Sequence, residues 1–136
     1  MEKAKLQAEY GLYINGQWRP AANGDTYTAE SPADGSHLAV CAQATREDVD
    51  DAVKAAWEAF KTWKKTTPAQ RAALLNKIAD IIDANKEHLA MVESMDNGKP
   101  IRETVNVDIP MSAAHFRYFA GCILAEEGQA SVLNEQ

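Results

Sequence analysis

In Met95-Asp96-Asn97-Gly98-Lys99-Pro100, a carboxylate, a glycine and an ammonium group stand almost side by side, directly after a long amphipathic run. Three chemistries fit such a cluster. Asp96 could ligate a hard cation, Lys99 could contact an anion, or the glycine and lysine could belong to a phosphate-gripping loop. A phosphate loop needs a strand before its glycine and a helix after it. Here the glycine follows a helical pattern, so that reading falls. The stretch is first a helix stop, because Gly98 suits a left-handed cap and Pro100 cannot continue the helical ladder. Asp96 then sits at the negative end of the helix dipole, which implies a compensating cation or backbone N–H.

Elsewhere the residue types that do chemistry are scattered. The sequence contains no GxGxxG, no GxxxxGK[ST] and no HExxH. His37, His88 and His115 fall in separate elements and read as surface or satisfied residues. Cys41 and Cys122 have no CxxC spacing. Cys122, among apolar helix neighbours, reads as a small core hydrophobe. Cys41 has no basic neighbour to lower its pKa. The charge-rich runs Asp50-Asp51-Ala52-Val53-Lys54 and Lys86 to Glu93 read as solvated helix faces.

The elements that would position these residues run from strands to helices. Residues 1–9 read as a polar, loose arm. Asn15-Gly16 between Leu12-Tyr13-Ile14 and Gln17-Trp18 predicts a hairpin with a type I′ turn. Thr26–Glu30 and His37–Ala42 predict two more strands around the turn cluster Ser31-Pro32-Ala33-Asp34-Gly35. The first third is thus a small antiparallel β element. Thr45 is placed to cap a helix with the apolar stripe Val49, Ala52, Val53, Ala56 and Phe60, flanked by Trp57 and Trp63. Thr67, Pro68 and Gln70 form a capping box for a second helix that continues to Asn97, with Leu74, Leu75, Ile78, Ile81, Ile82, Leu89 and Val92 as its stripe. A third helical region spans Ile101–Ala125. Pro110 should kink or restart it, with Asp108 as candidate cap.

Composition bounds the function. The chain has 136 residues, 46% hydrophobic and 25% charged, as expected for one ordinary domain. A net charge of -6 with dispersed basic residues argues against nucleic acid as a partner. No apolar run approaches the roughly 20 residues of a membrane helix. No signal peptide is visible, and two cysteines suit a reducing cytoplasm, so a cytoplasmic location is expected.

Taken in order, YINGQW, SPADGSHLA, REDVDDAVKAAWEAFKTW, RAALLNKIADIIDANKEHLAMVESMDNGKPIRET and VDIPMSAAHFRYFAG resemble the start of aldehyde dehydrogenases. The resemblance covers residues 10–128, and HFRYFAGCILAEEG looks most like the bacterial acetaldehyde-oxidising branch. It implies an α/β family fold, of which this chain is the N-terminal part of a Rossmann-like cofactor domain. Residues 129–136 would lead into an oligomerisation flap. In the family a cysteine nucleophile adds to the aldehyde, hydride passes to NAD or NADP, and a glutamate activates water. Those catalytic and cofactor-binding residues come later than this sequence reaches, so the resemblance implies an inactive chain. It also implies a homo-oligomer for the full-length enzyme, with an aldehyde substrate. Asp96 matches a carboxylate that holds a structural monovalent cation, with the carbonyls of Ala29 and Glu30 at the other ligand positions. Met111, with Phe116 beside it, matches a helix position lining the aldehyde access tunnel. The alternative is a small helical interaction module without catalysis.

Overall fold

The computed structural model describes residues 3–128. Strand β1 is Glu9–Tyr10, β2 Leu12–Ile14, β3 Gln17–Arg19, β4 Thr26–Glu30 and β5 His37–Ala42. Helix α1 is Arg46–Trp63, α2 Pro68–Ala84, α3 Lys86–Asn97, α4 Ile101–Glu103 and α5 Ile109–Leu124; a π-helical turn, Thr104–Asp108, joins the last two. Residues 129–136, the expected lead-in to a flap, lie outside the described span.

The hairpin forms as the sequence dictates. Asn15 and Gly16 take φ of 53° and 78°, the paired positive values of a type I′ turn. The turn sets β2 against β3 so that Tyr13 faces Trp18, their ring centroids 5.0 Å apart. The other sheet, ordered β1-β5-β4, is not purely antiparallel as expected. β4 and β5 are antiparallel, but β1 adds to the free edge of β5 in parallel, and Val40 N donates to Ala8 O at 3.0 Å. The end of the supposed loose arm is therefore a strand. An open sheet edge offers unpaired backbone groups to any nearby extended segment, and this pairing across the sequence leaves no local signal.

The expected Thr67 capping box is present, and the expected Thr45 cap is a capping box as well. Thr45 closes α1 with Asp48, and Thr67 closes α2 with Gln70. The single long helix expected from Pro68 to Asn97 is instead two. Asn85 interrupts it at φ -114°, and its side-chain amide donates to Ile81 O at 2.8 Å. Asn competes in this way with the backbone for terminal carbonyls. Asp108 does not cap α5. It keeps helical dihedrals, whereas a cap needs extended ones. A separate helix, α5, starts at Ile109 with Pro110 in its first turn, in line with the expected restart. The helical path widens first, and Ile109 N–H reaches Thr104 O, five residues back. This wider turn absorbs the hydrogen bond and the space that proline denies an α-helix.

The hydrophobic interior is thin. Among the described residues the buried apolar side chains are Ile109 and seven alanines, while the largest side chains fully out of solvent are Thr104 and Asp48. Helix α5 lies along α2, and alanines 72, 79, 113 and 120 sit at the buried positions of that pair. The expected core stripes are largely open: Val49, Val53, Trp57, Phe60, Leu74 and Ile81 are all exposed. Cys122, expected in a core, is exposed as well. The periodicity of these stripes is helical as predicted, but the surface they were to cover is absent from the described residues.

Candidate functional site

The last turn of α3 and the turn after β4 meet at one end of the molecule. Gly98 takes the left-handed cap conformation at φ 77° and donates its N–H to Ser94 O. A β-carbon at Gly98 would stand 3.0 Å from Pro32 Cγ, so glycine is required there both by dihedral and by contact. Asn97 Oδ1 accepts from Lys99 N at 2.8 Å, and Ser94 Oγ donates to Lys99 O at 2.8 Å. Thr104 Oγ1 lies 3.0 Å from Ala90 O, 3.1 Å from Ile101 O and 3.3 Å from Ser94 Oγ. These bonds fix the turn between α3 and the π-helical segment.

Lys99 is not presented to an external anion. Its ammonium pairs with Asp108. Its pKa is raised, chiefly by the hydrogen bond to that carboxylate, against the opposing effect of burial. An ammonium already engaged by a carboxylate is a poor docking point for a phosphate. The anion reading of Lys99 is thereby corrected to an internal clamp.

Asp96 is exposed on the final turn of α3, with neither a hydrogen bond nor an ion pair among the described residues. It is close enough to Tyr27 on β4 to push the phenol pKa up. The larger causes of that shift are the hydrogen bond and charge of Cys41, then burial. Ala29 and Glu30 follow Tyr27 on the same strand, where the β4–β5 ladder slips in register between them. The fold thus brings the Asp96 turn to the strand end that carries both carbonyls. The donor set is all oxygen, which fits a hard cation. Among the described residues no three His, Cys, Asp or Glu side chains group as a metal site, so any such site depends on carbonyls.

Met111 and Phe116 do not share a wall. At roughly 100° per residue they point about 140° apart around α5. Phe116 is half-buried on the side of Ala113 and Ala120, whereas Met111 is 51% exposed on the opposite side with Tyr118 and Cys122. The histidines stay apart, each exposed on its own element.

The polar centre that spacing did not single out is at the other end of α1. Asp48, 1% exposed, accepts hydrogen bonds from Thr45 N, Thr45 Oγ1, Ala22 N and Arg19. Arg19 also pairs with Asp51. Asp48 lies in the first turn of α1, where an acid suits the helix dipole, but nothing near it in sequence points to Arg19 on β3. Asp34 is held well below the usual carboxylate range by the Ser36 hydroxyl and N–H and by Lys3. All of these groups tie elements together rather than face a cavity with a nucleophile and a base.

Helices α1 and α5 keep apolar side chains in the open, and the polar groups described above are engaged in bonds between segments of the chain. Comparison with known proteins identifies the family. A model of the aldehyde dehydrogenase family matches residues 18–136, and the chain belongs to that family. It is 48% identical over 130 residues to an acetaldehyde dehydrogenase of Pseudomonas aeruginosa, covering 96% of this chain and 26% of the relative. It is 44% identical over 133 residues to a long-chain-aldehyde dehydrogenase of Acinetobacter sp., covering 98% and 26%. Among solved structures, PnpE in complex with nicotinamide adenine dinucleotide superposes with a TM-score of 0.88 at 42% identity, over 92% of this chain and 26% of that one. The aldehyde dehydrogenase KauB from Pseudomonas aeruginosa gives 0.90 at 33% identity, over 95% and 26%. The chain therefore spans about a quarter of the length of the relatives it matches. No helix among its described residues is long and apolar enough to cross a membrane.

Proposed function

We propose that this chain is the N-terminal quarter of an NAD(P)-dependent aldehyde dehydrogenase. In the full-length protein it would form the outer part of the Rossmann-like cofactor domain. The observation that carries the reading is the match of nearly the whole chain to one quarter of relatives that are aldehyde dehydrogenases. Cytoplasmic location and homo-oligomeric assembly are parts of the same proposal. The names of the relatives span acetaldehyde and long-chain aldehydes at similar identity, so the acetaldehyde branch rests on the HFRYFAGCILAEEG segment.

The chain's own residues do not fit a dinucleotide cradle. The connection from β5 into α1 is Gln43-Ala44-Thr45, with no glycine to let a pyrophosphate approach the helix N-terminus. Binding of NAD(P) therefore belongs to the remainder of the full-length enzyme. The thiols match no nucleophile motif either: Cys41 stands opposite Tyr27 in the β4–β5 ladder, and Cys122 stands on the open face of α5. The purified chain should give no aldehyde-dependent NADH formation by absorbance at any tested chain length. Turnover by a homogeneous preparation would overturn the silent-fragment reading.

Two supporting roles follow. Met111 would line the aldehyde tunnel, with its opposite wall supplied by the rest of the enzyme. Asp96, with the carbonyls of Ala29 and Glu30, would hold a structural monovalent cation; the absence of a protein partner for Asp96 among the described residues supports this. Thermal melts in sodium or potassium chloride should then exceed those in choline chloride at equal ionic strength, and Asp96→Asn should abolish the difference. Equal melts for the original chain would remove the cation role.

A further inference from the structure

Three asparagines in the chain precede a glycine: Asn15, Asn23 and Asn97. An asparagine so placed can cyclise. The glycine amide nitrogen loses its proton and attacks the side-chain carbonyl carbon. A C–N bond forms, the bond to Nδ2 breaks, and ammonia leaves. Water then opens the five-membered imide, at one carbonyl to aspartate and at the other to isoaspartate. Nothing is oxidised or reduced. Glycine has no β-carbon to crowd the attacking nitrogen. Folding decides which of the three sites keeps that nitrogen free.

At two of them it is engaged. Gly24 N donates to Ala21 O at 2.9 Å, and Gly98 N donates to Ser94 O at 3.1 Å. The side-chain amides there are held as well. Asn23 Nδ2 donates to Asp25 Oδ2 at 2.6 Å, and its Oδ1 accepts from Asp25 N at 3.0 Å. Asn97 Oδ1 accepts from Lys99 N at 2.8 Å. Asn97 is also the last residue of α3, so turning its peptide would undo the Gly98 cap. At Asn15-Gly16, by contrast, neither the Gly16 N–H nor the Asn15 side-chain amide has a hydrogen-bond partner among the described residues. Both residues are exposed.

The hairpin turn also lies one peptide flip from the reactive geometry. Ring closure requires the asparagine β-carbon to eclipse the next nitrogen. For an L-residue, tetrahedral geometry puts that at ψ of about −120°, the value at the first central position of a type II′ turn, where φ is about +60°. Asn15 already has φ 53°. Types I′ and II′ both close two-residue hairpins. Flipping the peptide between Asn15 and Gly16 therefore exchanges one turn for the other and keeps Ile14 paired with Gln17. There is room for the flip. A β-carbon built on Gly16 would meet no atom within 4 Å, and a cavity of about 350 Å³ separates the turn from Ala52, Ala55 and Ala59 of α1.

We propose that Asn15 is a self-modification site, which converts to isoaspartate through an imide formed with Gly16 in the folded chain. Isoaspartate carries the main chain through its side-chain carbon. The turn then gains one backbone atom and a carboxylate. Register in a hairpin is set by loop length, so the pairing of Tyr13 with Trp18 and of Leu12 with Arg19 is lost.

The test compares the three sites within one sample. The chain is aged at neutral and mildly alkaline pH, both folded and in concentrated urea. It is then digested and mapped by mass spectrometry, with fragment ions locating each exchange of –NH2 for –OH. In urea the three sites should react at similar rates. In the folded chain Asn15 should keep most of that rate, whereas Asn23 and Asn97 should slow by about fivefold or more, since each must first give up a hydrogen bond. The rate at Asn15 should rise with hydroxide, and chromatography should resolve isoaspartate as a product there. Folding that slows Asn15 as much as the other two would overturn the proposal. So would aspartate without isoaspartate at position 15, because direct hydrolysis makes no use of the Gly16 nitrogen. Asn15→Asp keeps an Asp-Gly turn and should melt with the original chain, while the aged chain carrying isoaspartate should melt lower. An aged chain that melts unchanged would overturn the loss of hairpin pairing.

Discussion

Asp48→Ala should lower the melting temperature of this chain further than the loss of any other carboxylate, and further than Thr45→Ala at the same cap. Asp48 Oδ2 accepts from Thr45 N at 2.9 Å and Thr45 Oγ1 at 2.8 Å, and Oδ1 accepts from Arg19 at 3.0 Å. Ala22 N reaches both oxygens, at 3.2 and 3.1 Å. Thr45→Ala removes one acceptor for the first turn of α1, a loss of about 1 kcal/mol. Asp48→Ala instead strands two backbone donors and one side of a guanidinium at a nearly solvent-free position, where unmet donors are costly. It also cuts the tie between β3 and α1, and α1 has little other attachment. Asp48→Asn keeps one acceptor oxygen and should fall between the two.

The same residue sets a pH dependence. The N–H groups of Thr45 and Ala22, the Thr45 hydroxyl and Arg19 hold the Asp48 pKa below the ordinary carboxylate value, against burial, which acts the other way. A group with a depressed folded-state pKa stabilises the fold above its unfolded value, near 3.9, and loses that contribution as pH falls through the folded value. Melting temperatures should therefore be level in the neutral range and fall below about pH 4. Asp48→Asn should flatten that acid limb. An acid limb identical in both proteins would show that other carboxylates set it.

How much of this could be read beforehand depends on the range of the forces involved. The Asn15-Gly16 turn and the Thr45 and Thr67 caps were legible because their causes lie within a few residues of each other. The end of α3 at Gly98 was legible for the same reason. The break at Asn85 was not, since Ile82 and Leu89 are seven positions apart and keep helical phase across it. The parallel pairing of β1 on β5 and the grip of Arg19 on Asp48 join distant segments and leave no periodic trace. Lys99 looked available only because its partner, Asp108, lies beyond a turn. The apolar stripes were correct as patterns and misleading as cores, because burial depends on what stands opposite. Asp96 stood out locally as a carboxylate at a helix C-terminus, but Ala29, Glu30 and Met111 could be singled out only through family resemblance.

Thr104→Val should be the most damaging near-isosteric change in the helical half. Thr104 is 0% exposed, and its hydroxyl is the polar contact for Ala90 O inside the α3 turn. Valine fills the same volume, so no cavity term enters; what changes is that Ala90 O and Ser94 Oγ lose a neighbour that can share a hydrogen. Ala90 O keeps its bond within α3, so the loss is that of one buried hydrogen bond, about 1 kcal/mol. For a chain of this size that corresponds to a drop of about 3–6 °C. Thr104→Ser keeps the hydroxyl and should lose much less. The consequence is not confined to stability. Thr104 O also receives the Ile109 N–H that closes the π-helical turn, and that turn sets the rotation at which α5 begins. Each residue of an α-helix turns it by about 100°, so relaxing the wide turn to an α-turn would swing Ala113 and Ala120 away from α2 and move Met111 off its open face. Loss of helix–helix contact should appear as increased hydrogen exchange along both α2 and α5 in Thr104→Val, with the β-sheets unaffected. Exchange rising only in residues 101–108 would instead show that α5 holds its rotation through the alanine contacts with α2 and needs no help from the turn that precedes it.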